Sequence, residues 1–194
     1  MVKKITSVVI AILVTVATFQ SNAQLQKGYV LIGSDITDLE LGLDEGGNFS
    51  FTVNPKAAWF FKDNVALGAY LTFGLSTAKD AGTSINYGLG ALGRYYFSKS
   101  GELLHHSRFF LEGTVGIDGD NPAVGDNTNG LGLGIGPGIA YFLTENIALE
   151  GLFKYNGIIG FGSAVTSNNL NLSIGFQIYM PTAKLKKAAQ EVPK

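Results

Sequence analysis

The sequence predicts an all-β protein, an eight-stranded antiparallel up-and-down transmembrane β-barrel that follows an N-terminal signal peptide. Three observations lead to this fold. Apolar and polar residues alternate with a period of two along most of the chain. Glycine accounts for 26 of 194 residues, about twice its average usage. Charged residues make up only 15 %, whereas the outer face of a soluble domain is normally rich in them.

The first residues have the pattern of a secretory signal. Lys3 and Lys4 supply positive charge, an apolar run starts at Ile5, and small residues at Ser21 and Ala23 suit cleavage after Ala23. That run has about 15 residues, fewer than the roughly 20 that a membrane-spanning helix needs. We therefore divide the chain into a signal peptide over 1–23, an outer-membrane barrel over 24–180 and a polar periplasmic tail over 181–194.

The alternation is clearest in the last strand of the predicted barrel. Every second residue there is large and apolar, and the intervening positions from Asn169 to Tyr179 are mostly polar. An extended strand places the apolar set on one face, whereas a helix would scatter it around its circumference. The apolar set is Leu170, Leu172, Ile174, Phe176, Ile178 and Met180.

The same parity recurs in six segments upstream, each about ten residues long, which is the length at which a tilted strand crosses a bilayer. An eighth strand near residues 28–34 is less regular and shows no clear parity. Connections are short near residues 62–64 and 144–146, whereas most loops on the other side are longer, as in outer-membrane barrels. Most acidic residues fall in these predicted outer loops: Asp35, Asp38, Glu40, Asp44, Glu45, Asp80, Asp120 and Asp126.

The composition of the two strand faces indicates which one points outward. One face is almost entirely apolar or aromatic, and the other carries glycines and charged residues. A soluble ligand-carrying barrel would bury the apolar face, whereas a membrane barrel turns it toward lipid. The low charge content favours the membrane barrel, with a soluble periplasmic barrel as the alternative. Eight strands enclose a narrow lumen that side chains fill, so inward glycines would make room for larger neighbours.

Two groups of residues are candidates for a role within such a barrel. Charges in the lumen must be paired, because an isolated buried charge costs several kcal/mol, so we expect a salt-bridge network that fills the lumen. A narrow pore for ions or small solutes is the alternative. By parity the lumen charges are Lys56, Arg94, Arg108, Glu112, Glu150 and Lys154. Aromatic residues near the short turns predict a girdle at the membrane interface, formed by Trp59, Phe61, Tyr95, Phe97 and Tyr141.

An internal repeat links two hairpins of the chain. The segments that begin at Pro55 and Pro137 share the pattern P-x-x-A-[WY]-F-[FL]-x-[DE]-N-[VI]-A-L and lie 82 residues apart. Each copy reads as a descending strand, a tight turn of an acidic residue and Asn, and an ascending strand. Because proline removes a hydrogen-bond donor from a strand, we expect a bulge at each of the two prolines.

With this repeat, its signal and its alternation, the sequence resembles the small OmpA/OmpX-like outer-membrane barrels, the outer membrane protein beta-barrel domain family. The resemblance covers nearly the whole mature chain. It implies a monomeric barrel in the bacterial outer membrane, in contact with lipid and lipopolysaccharide and inserted by the barrel-assembly machinery. Roles in this family include membrane integrity, adhesion, resistance to host defence and, in some members, lipid-modifying catalysis.

The sequence favours a non-enzymatic role without cofactor or metal. The only histidines, His105 and His106, lie in a predicted periplasmic connection, whereas lipid-modifying enzymes that resemble this fold need a histidine on the outer side. Residues 118–121 begin like a calcium-binding loop but lack its later ligands. The absence of cysteine excludes a thiol nucleophile, and the net charge of −1 argues against nucleic acid as a partner. We expect a structural or surface-interaction role through the outer loops.

Overall fold

Eight strands form one closed antiparallel barrel, in which each strand pairs with its neighbours in sequence and the last pairs with the first. The computed structural model describes residues 25–41, 48–78, 82–97, 106–161 and 166–183. The predicted signal peptide and most of the predicted tail lie outside these residues. The strands are β1 Tyr29–Leu41, β2 Phe49–Lys62, β3 Val65–Ala78, β4 Gly82–Tyr96, β5 Ser107–Asn121, β6 Thr128–Phe142, β7 Ile147–Gly160 and β8 Thr166–Pro181. The predicted fold class is therefore confirmed.

The strands have 13 to 16 residues and are longer than the predicted ten. Apolar and polar residues alternate only over the part of each strand that carries the outward apolar surface, which we call the apolar band. The backbone pairing between strands continues beyond this band into segments that the sequence assigned to loops. Asp38, Glu40 and Asp120 consequently lie on strands, and Asp35 lies inside the barrel, so their assignment to outer loops is wrong. Asp126 is exposed in the β5–β6 connection. The remaining acids of that group, Asp44, Glu45 and Asp80, are outside the described residues.

The apolar set of each strand faces outward and the other set faces the interior. Leu67, Leu89 and Ile117, for example, are 57 %, 60 % and 61 % exposed on the outer surface. On β1, whose parity the sequence does not reveal, Leu31 points inward and Ile32 points outward. This arrangement is the inverse of a soluble ligand-carrying barrel, so that alternative is wrong. Among the described residues, no helix is long and apolar enough to cross a membrane.

Aromatic side chains lie at both edges of the outward apolar band. At the outer edge, the Tyr87 hydroxyl donates to Oδ1 of Asn129 over 2.5 Å, and the Tyr155 hydroxyl donates to Oδ1 of Asn168 over 2.6 Å. Tyr95 lies eight residues from Tyr87 on β4, which corresponds to roughly 20 Å along the membrane normal for a tilted strand. The residues predicted as a girdle are all exposed at the short-turn edge: Trp59, Phe61, Tyr95, Phe97 and Tyr141.

The two strand prolines do not produce the predicted bulges. Pro55 stays in register with Ser34 of β1, and Pro137 stays in register with Leu111 of β5. On its other side each proline leaves a local gap in the pairing, but the register before and after that gap is the same. A closed barrel holds each strand from two sides, so a single missing donor is tolerated without a slip.

The segment before β1 closes the short-turn end of the barrel. Leu25 is buried among the interior aromatic residues, and its carbonyl accepts a hydrogen bond from the amide of Asn64. Asn64 occupies the left-handed region with a φ of 63°, which suits its position in the β2–β3 turn. The hydroxyl of Thr182, just after β8, donates to the carbonyl of Gly28 over 2.6 Å, so the two described chain ends are tied together.

The two copies of the sequence repeat occupy equivalent positions in the barrel. Phe60 and Phe142 both point inward and are almost fully buried. In each turn the backbone carbonyl of Asn accepts a hydrogen bond from the strand that follows the hairpin. Asn64 accepts from the amide of Tyr96 on β4, and Asn146 accepts from the amide of Tyr179 on β8. The repeat therefore builds the same element twice at the short-turn end.

Inward glycines provide the space for large interior side chains. A Cβ atom at Gly116 would overlap the hydroxyl of Tyr70 and the carbonyl of Leu89, whereas a Cβ at the outward Gly113 would meet nothing closer than 3.9 Å. We expect Gly116→Ala to lower the free energy of unfolding by about 1–3 kcal/mol, the usual cost of overpacking. The measurement is urea-induced unfolding of the protein folded in lipid vesicles.

Gly113→Ala, on the same strand, is the matched control and should change that free energy by no more than about 0.5 kcal/mol. Equal losses in the two variants would contradict the packing argument.

Candidate functional site in the barrel interior

The interior is organised in layers, beginning with an aromatic floor at the short-turn end. The hydroxyls of Tyr96 and Tyr179 lie 2.9 Å apart and are hydrogen bonded. Ring centroids in this layer are separated by 5.1 to 6.4 Å, the range expected for packed aromatic pairs. The floor consists of Phe60, Tyr96, Phe110, Phe142 and Tyr179, which are all at most 2 % exposed.

A belt of buried charges lies directly above the floor. Lys56 on β2 lies 2.5 Å from Oδ2 of Asp35 on β1 and 3.0 Å from Oε2 of Glu112 on β5. Arg94 on β4 donates from Nε to the same Oε2 of Glu112 over 2.7 Å and from Nη1 to Oε1 of Glu150 on β7 over 3.0 Å, and its Nη1 lies 2.8 Å from Oε2 of Glu150. This chain of ion pairs crosses the interior and joins five of the eight strands.

The floor and the belt are connected by hydrogen bonds. Nη1 of Arg94 donates to the Tyr96 hydroxyl over 2.9 Å, and the Tyr179 hydroxyl donates to Oε1 of Glu150 over 2.5 Å. The guanidinium of Arg94 also lies 4.2 Å from the ring centroid of Phe110, within cation–π range. Because each charge of the belt has a partner of opposite sign, the belt avoids the large penalty of an isolated buried charge.

The structure brings five of the six sequence-predicted charges together and leaves Arg108 apart. Lys154 lies at the upper side of the belt, with Nζ 3.5 Å from Oε1 of Glu112. Arg108 also faces inward, but it forms no ion pair with any described residue, and its buried Nη1 lacks a hydrogen-bond partner. Arg108 precedes Phe110 on the short-turn side, so the floor separates its guanidinium from the carboxylates of the belt.

Sequence reasoning missed two members of the belt, Asp35 and Gln177. The Gln177 side chain donates from Nε2 to Oδ1 of Asp35 over 2.7 Å and is fully buried. Asp35 was not found because the parity of β1 is unclear from the sequence. The signal that could have found it is the spacing of Leu31, Gly33 and Asp35, which alternate with the outward Ile32 and Ile36.

A polar cavity of about 120 Å³ lies above the belt, toward the outer end of the barrel. The Tyr70 hydroxyl on its wall donates to the Asp118 carboxylate over 3.0 Å. Asn54 accepts from the Thr72 hydroxyl through Oδ1 over 3.0 Å and donates from Nδ2 to the Thr37 hydroxyl over 2.8 Å. The cavity therefore has hydrogen-bonding side chains on its wall, and the belt of charged residues forms its bottom. Among the described residues, no group of three His, Asp or Glu is arranged to hold a metal ion.

Comparison with known proteins shows the fold to which this geometry belongs. The sequence matches no protein-family model and no curated protein. The crystal structure of neisserial surface protein A is similar, with 18 % identity and a TM-score of 0.54 over 77 % of this chain and 95 % of its own. The N-terminal β-barrel domain of OprF from Pseudomonas aeruginosa is 17 % identical, with a TM-score of 0.51 over 79 % of this chain and 98 % of its own. The chain has the fold of the small eight-stranded outer-membrane barrels, as its resemblance to OmpA/OmpX-like barrels implied.

Glu112 is the centre of the belt because it is the only carboxylate that contacts three cations there. Glu112→Gln keeps the shape of the side chain and removes its charge, which leaves excess positive charge in a buried site. We expect it to lower the free energy of unfolding in lipid vesicles by about 3–5 kcal/mol. Fluorescence of Trp59, the single tryptophan, can follow the transition.

Glu145→Gln in the exposed β6–β7 turn is the control, and it should change the free energy of unfolding by less than about 0.5 kcal/mol. A loss at Glu112 as small as that of the control would show that the belt is not a coupled network.

Proposed function

We propose that the protein is a non-enzymatic integral barrel of the bacterial outer membrane whose lumen is closed by its own side chains. Its role is structural or depends on interactions of its outer loops. The single observation that carries this proposal is the chain of ion pairs from Asp35 through Lys56, Glu112 and Arg94 to Glu150, which crosses the interior above a packed aromatic floor.

Closure of the lumen follows from the energetics of this chain. An ion that passed through the barrel would have to separate buried pairs and then cross the floor below them. Breaking one buried pair typically costs about 3–5 kcal/mol, because it leaves a charge uncompensated in a medium of low dielectric constant. An eight-stranded barrel also has little cross-section beyond that taken up by its own side chains.

The outward apolar band and the likeness in fold to outer-membrane barrels support membrane placement. Contact with outer-membrane lipid and lipopolysaccharide, insertion by the barrel-assembly machinery and a monomeric state are parts of the proposal. The acidic side chains Glu40 and Asp126 are exposed toward the outer end, where they could share divalent cations with lipopolysaccharide.

The position of His106 supports a role without catalysis. Its ring lies 6.2 Å from that of Tyr141, at the short-turn end and away from the outer side, where a lipid-modifying barrel would need it. The carboxylates of the belt are held in ion pairs, so they are poorly suited to act as a general base.

One observation favours a second candidate, a narrow pore for ions or small solutes. Glu112 is shared by Lys56, Arg94 and Lys154, so one cation can leave while the carboxylate keeps the other two. Such an exchange of partners would lower the free energy needed to separate the ion pairs and to open a path through the belt from the cavity above it.

Single-channel conductance in a planar bilayer separates the two candidates. The proposal expects no stable current steps from the refolded protein, because the belt stays paired. Folding is checked on the same sample by electrophoresis, where a folded barrel migrates differently before and after boiling.

Stable, charge-selective steps from a folded sample would overturn the closed lumen and favour the pore. Arg94→Gln and Glu150→Gln would then be compared with the wild type, because a path through the belt must change its ion selectivity when these charges are removed. Similar current steps from all three proteins would indicate a leak around the barrel, not a path through it.

A further inference from the structure

One seam of the barrel wall is only half paired. β1 and β8 pair from Tyr29 with Pro181 to Ile36 with Ile174 and no further, although both strands continue outward. Between the other seven pairs of neighbouring strands, the backbone pairing continues to the outer end of at least one of the two strands. Within the described part of the chain, residues 37–41 of β1 and 166–173 of β8 therefore have no strand partner on the sides that face each other. We call this region the seam.

A bulge in β1 explains where the seam begins. The register between β1 and β2 shifts between Ile36 and Asp38, with Thr37 as the additional residue. A bulge bends its strand and increases the local twist. Beyond the bulge β1 remains paired with β2 and separates from β8.

The seam lies within the apolar band, on its outer side. Leu39 on β1 and Leu170 and Leu172 on β8 point outward beside it and are 75 %, 63 % and 68 % exposed. The polar boundary on β8 is reached only at Asn168, which accepts the hydrogen bond from Tyr155. The seam is therefore at the depth of the lipid chains of the outer leaflet.

An open sheet edge at this depth needs a polar neighbour. Unpaired backbone groups are not found in contact with hydrocarbon, and they occur at membrane depth only where they are buried in protein or line a water-filled cavity. The polar cavity meets this need, because Asp38 on one side of the seam and Asn171 and Ser173 on the other side are among its lining residues. The seam thus borders the cavity on its inner side and the outward apolar surface on its outer side.

The charges of the cavity indicate which ligand it favours. Asp38, Asp118 and Asp120 line it and form no ion pair with any described residue. Two of the other charged residues that line the cavity are already neutralised: the Lys154 ammonium contacts Glu112 of the belt, and the Asp35 carboxylate is paired with Lys56. The cavity therefore has excess negative charge within low-dielectric walls, which concentrates cations.

We propose that the seam is a lateral port for a membrane amphiphile with an ammonium-bearing head group. The head group lies in the cavity above the belt, and the acyl chain passes between β1 and β8 to lie against Leu39 and Leu172. The port rests on the placement of the barrel in a membrane, but it does not depend on whether the belt conducts ions.

Photolabelling of the wild-type protein in phosphatidylcholine vesicles tests the port. The probe is a long-chain alkylamine with a diazirine close to its head, compared with a fatty acid of the same length and diazirine position. The amine is expected to label the inward Asp38 and Asn171, detected by peptide mass spectrometry. Labelling there should be about tenfold stronger than with the fatty acid, as electrostatic focusing of a cation predicts.

A disulfide across the seam provides a second measurement. If the register is continued past the one-residue bulge, Leu39 lies opposite Leu172, so Leu39→Cys with Leu172→Cys can close the seam when oxidised. Leu71→Cys with Leu89→Cys is the matched control, because these outward residues are directly opposite on the paired strands β3 and β4. The natural chain contains no cysteine that could interfere.

Oxidation of the seam pair should abolish labelling of Asp38 and Asn171, and reduction should restore it, whereas the control pair should label like the wild type in both states. Labelling confined to outward residues such as Leu170, or unchanged by the closed seam, would overturn the port. Equal labelling of the inward residues by the amine and the fatty acid would overturn the assignment of the head group.

Discussion

A sheet inside a membrane has no water to satisfy its edges, and most features of this protein follow from that constraint. Pairing of β8 with β1 closes the sheet, and eight strands then enclose a space only wide enough for side chains. The inner face must therefore alternate very small and very large residues. Gly116 beside Tyr70 is one result of this requirement, because a side chain at Gly116 would occupy the position of the Tyr70 hydroxyl.

The same narrow space determines how charge can be placed inside the barrel. Side chains from opposite walls are close enough to bond directly, so Lys56 on β2 reaches Glu112 on β5. Glu112 and Glu150 then each serve two purposes, since each neutralises a cation and links strands that are not neighbours in the sheet. Tyr179 extends these links into the floor through Glu150. The belt and the two tyrosines of the floor thus form one hydrogen-bonded unit in the lower half of the interior, and a polar cavity occupies the upper half.

Parity alone predicts the inward or outward direction of a side chain on seven strands, but it does not predict which inward charges meet. Arg94 and Arg108 have the same orientation, yet one lies above the aromatic floor among carboxylates and the other lies below it. The position of each side chain along the barrel axis depends on the register between strands, and the alternation in the sequence does not reveal that register. On β1 the bulge at Thr37 resets the alternation, so that Asp35 and Asp38 both face inward although they are three residues apart. A rule of strict alternation cannot describe both residues.

The contacts that complete the interior join the two ends of the chain, and this affects the order in which the protein can fold. Gln177 bonds Asp35 across 142 positions of sequence, and Thr182 bonds Gly28 across 154. Neither contact can form until the last strand has been synthesised, so the belt and the floor stay incomplete while the chain emerges from the ribosome. Contacts so distant in sequence also make folding slow, because a long loop must close before any of them is gained. The hydrogen bonds of Gln177 with Asp35 and of Thr182 with Gly28 therefore form only when β8 pairs with β1 and the ring closes.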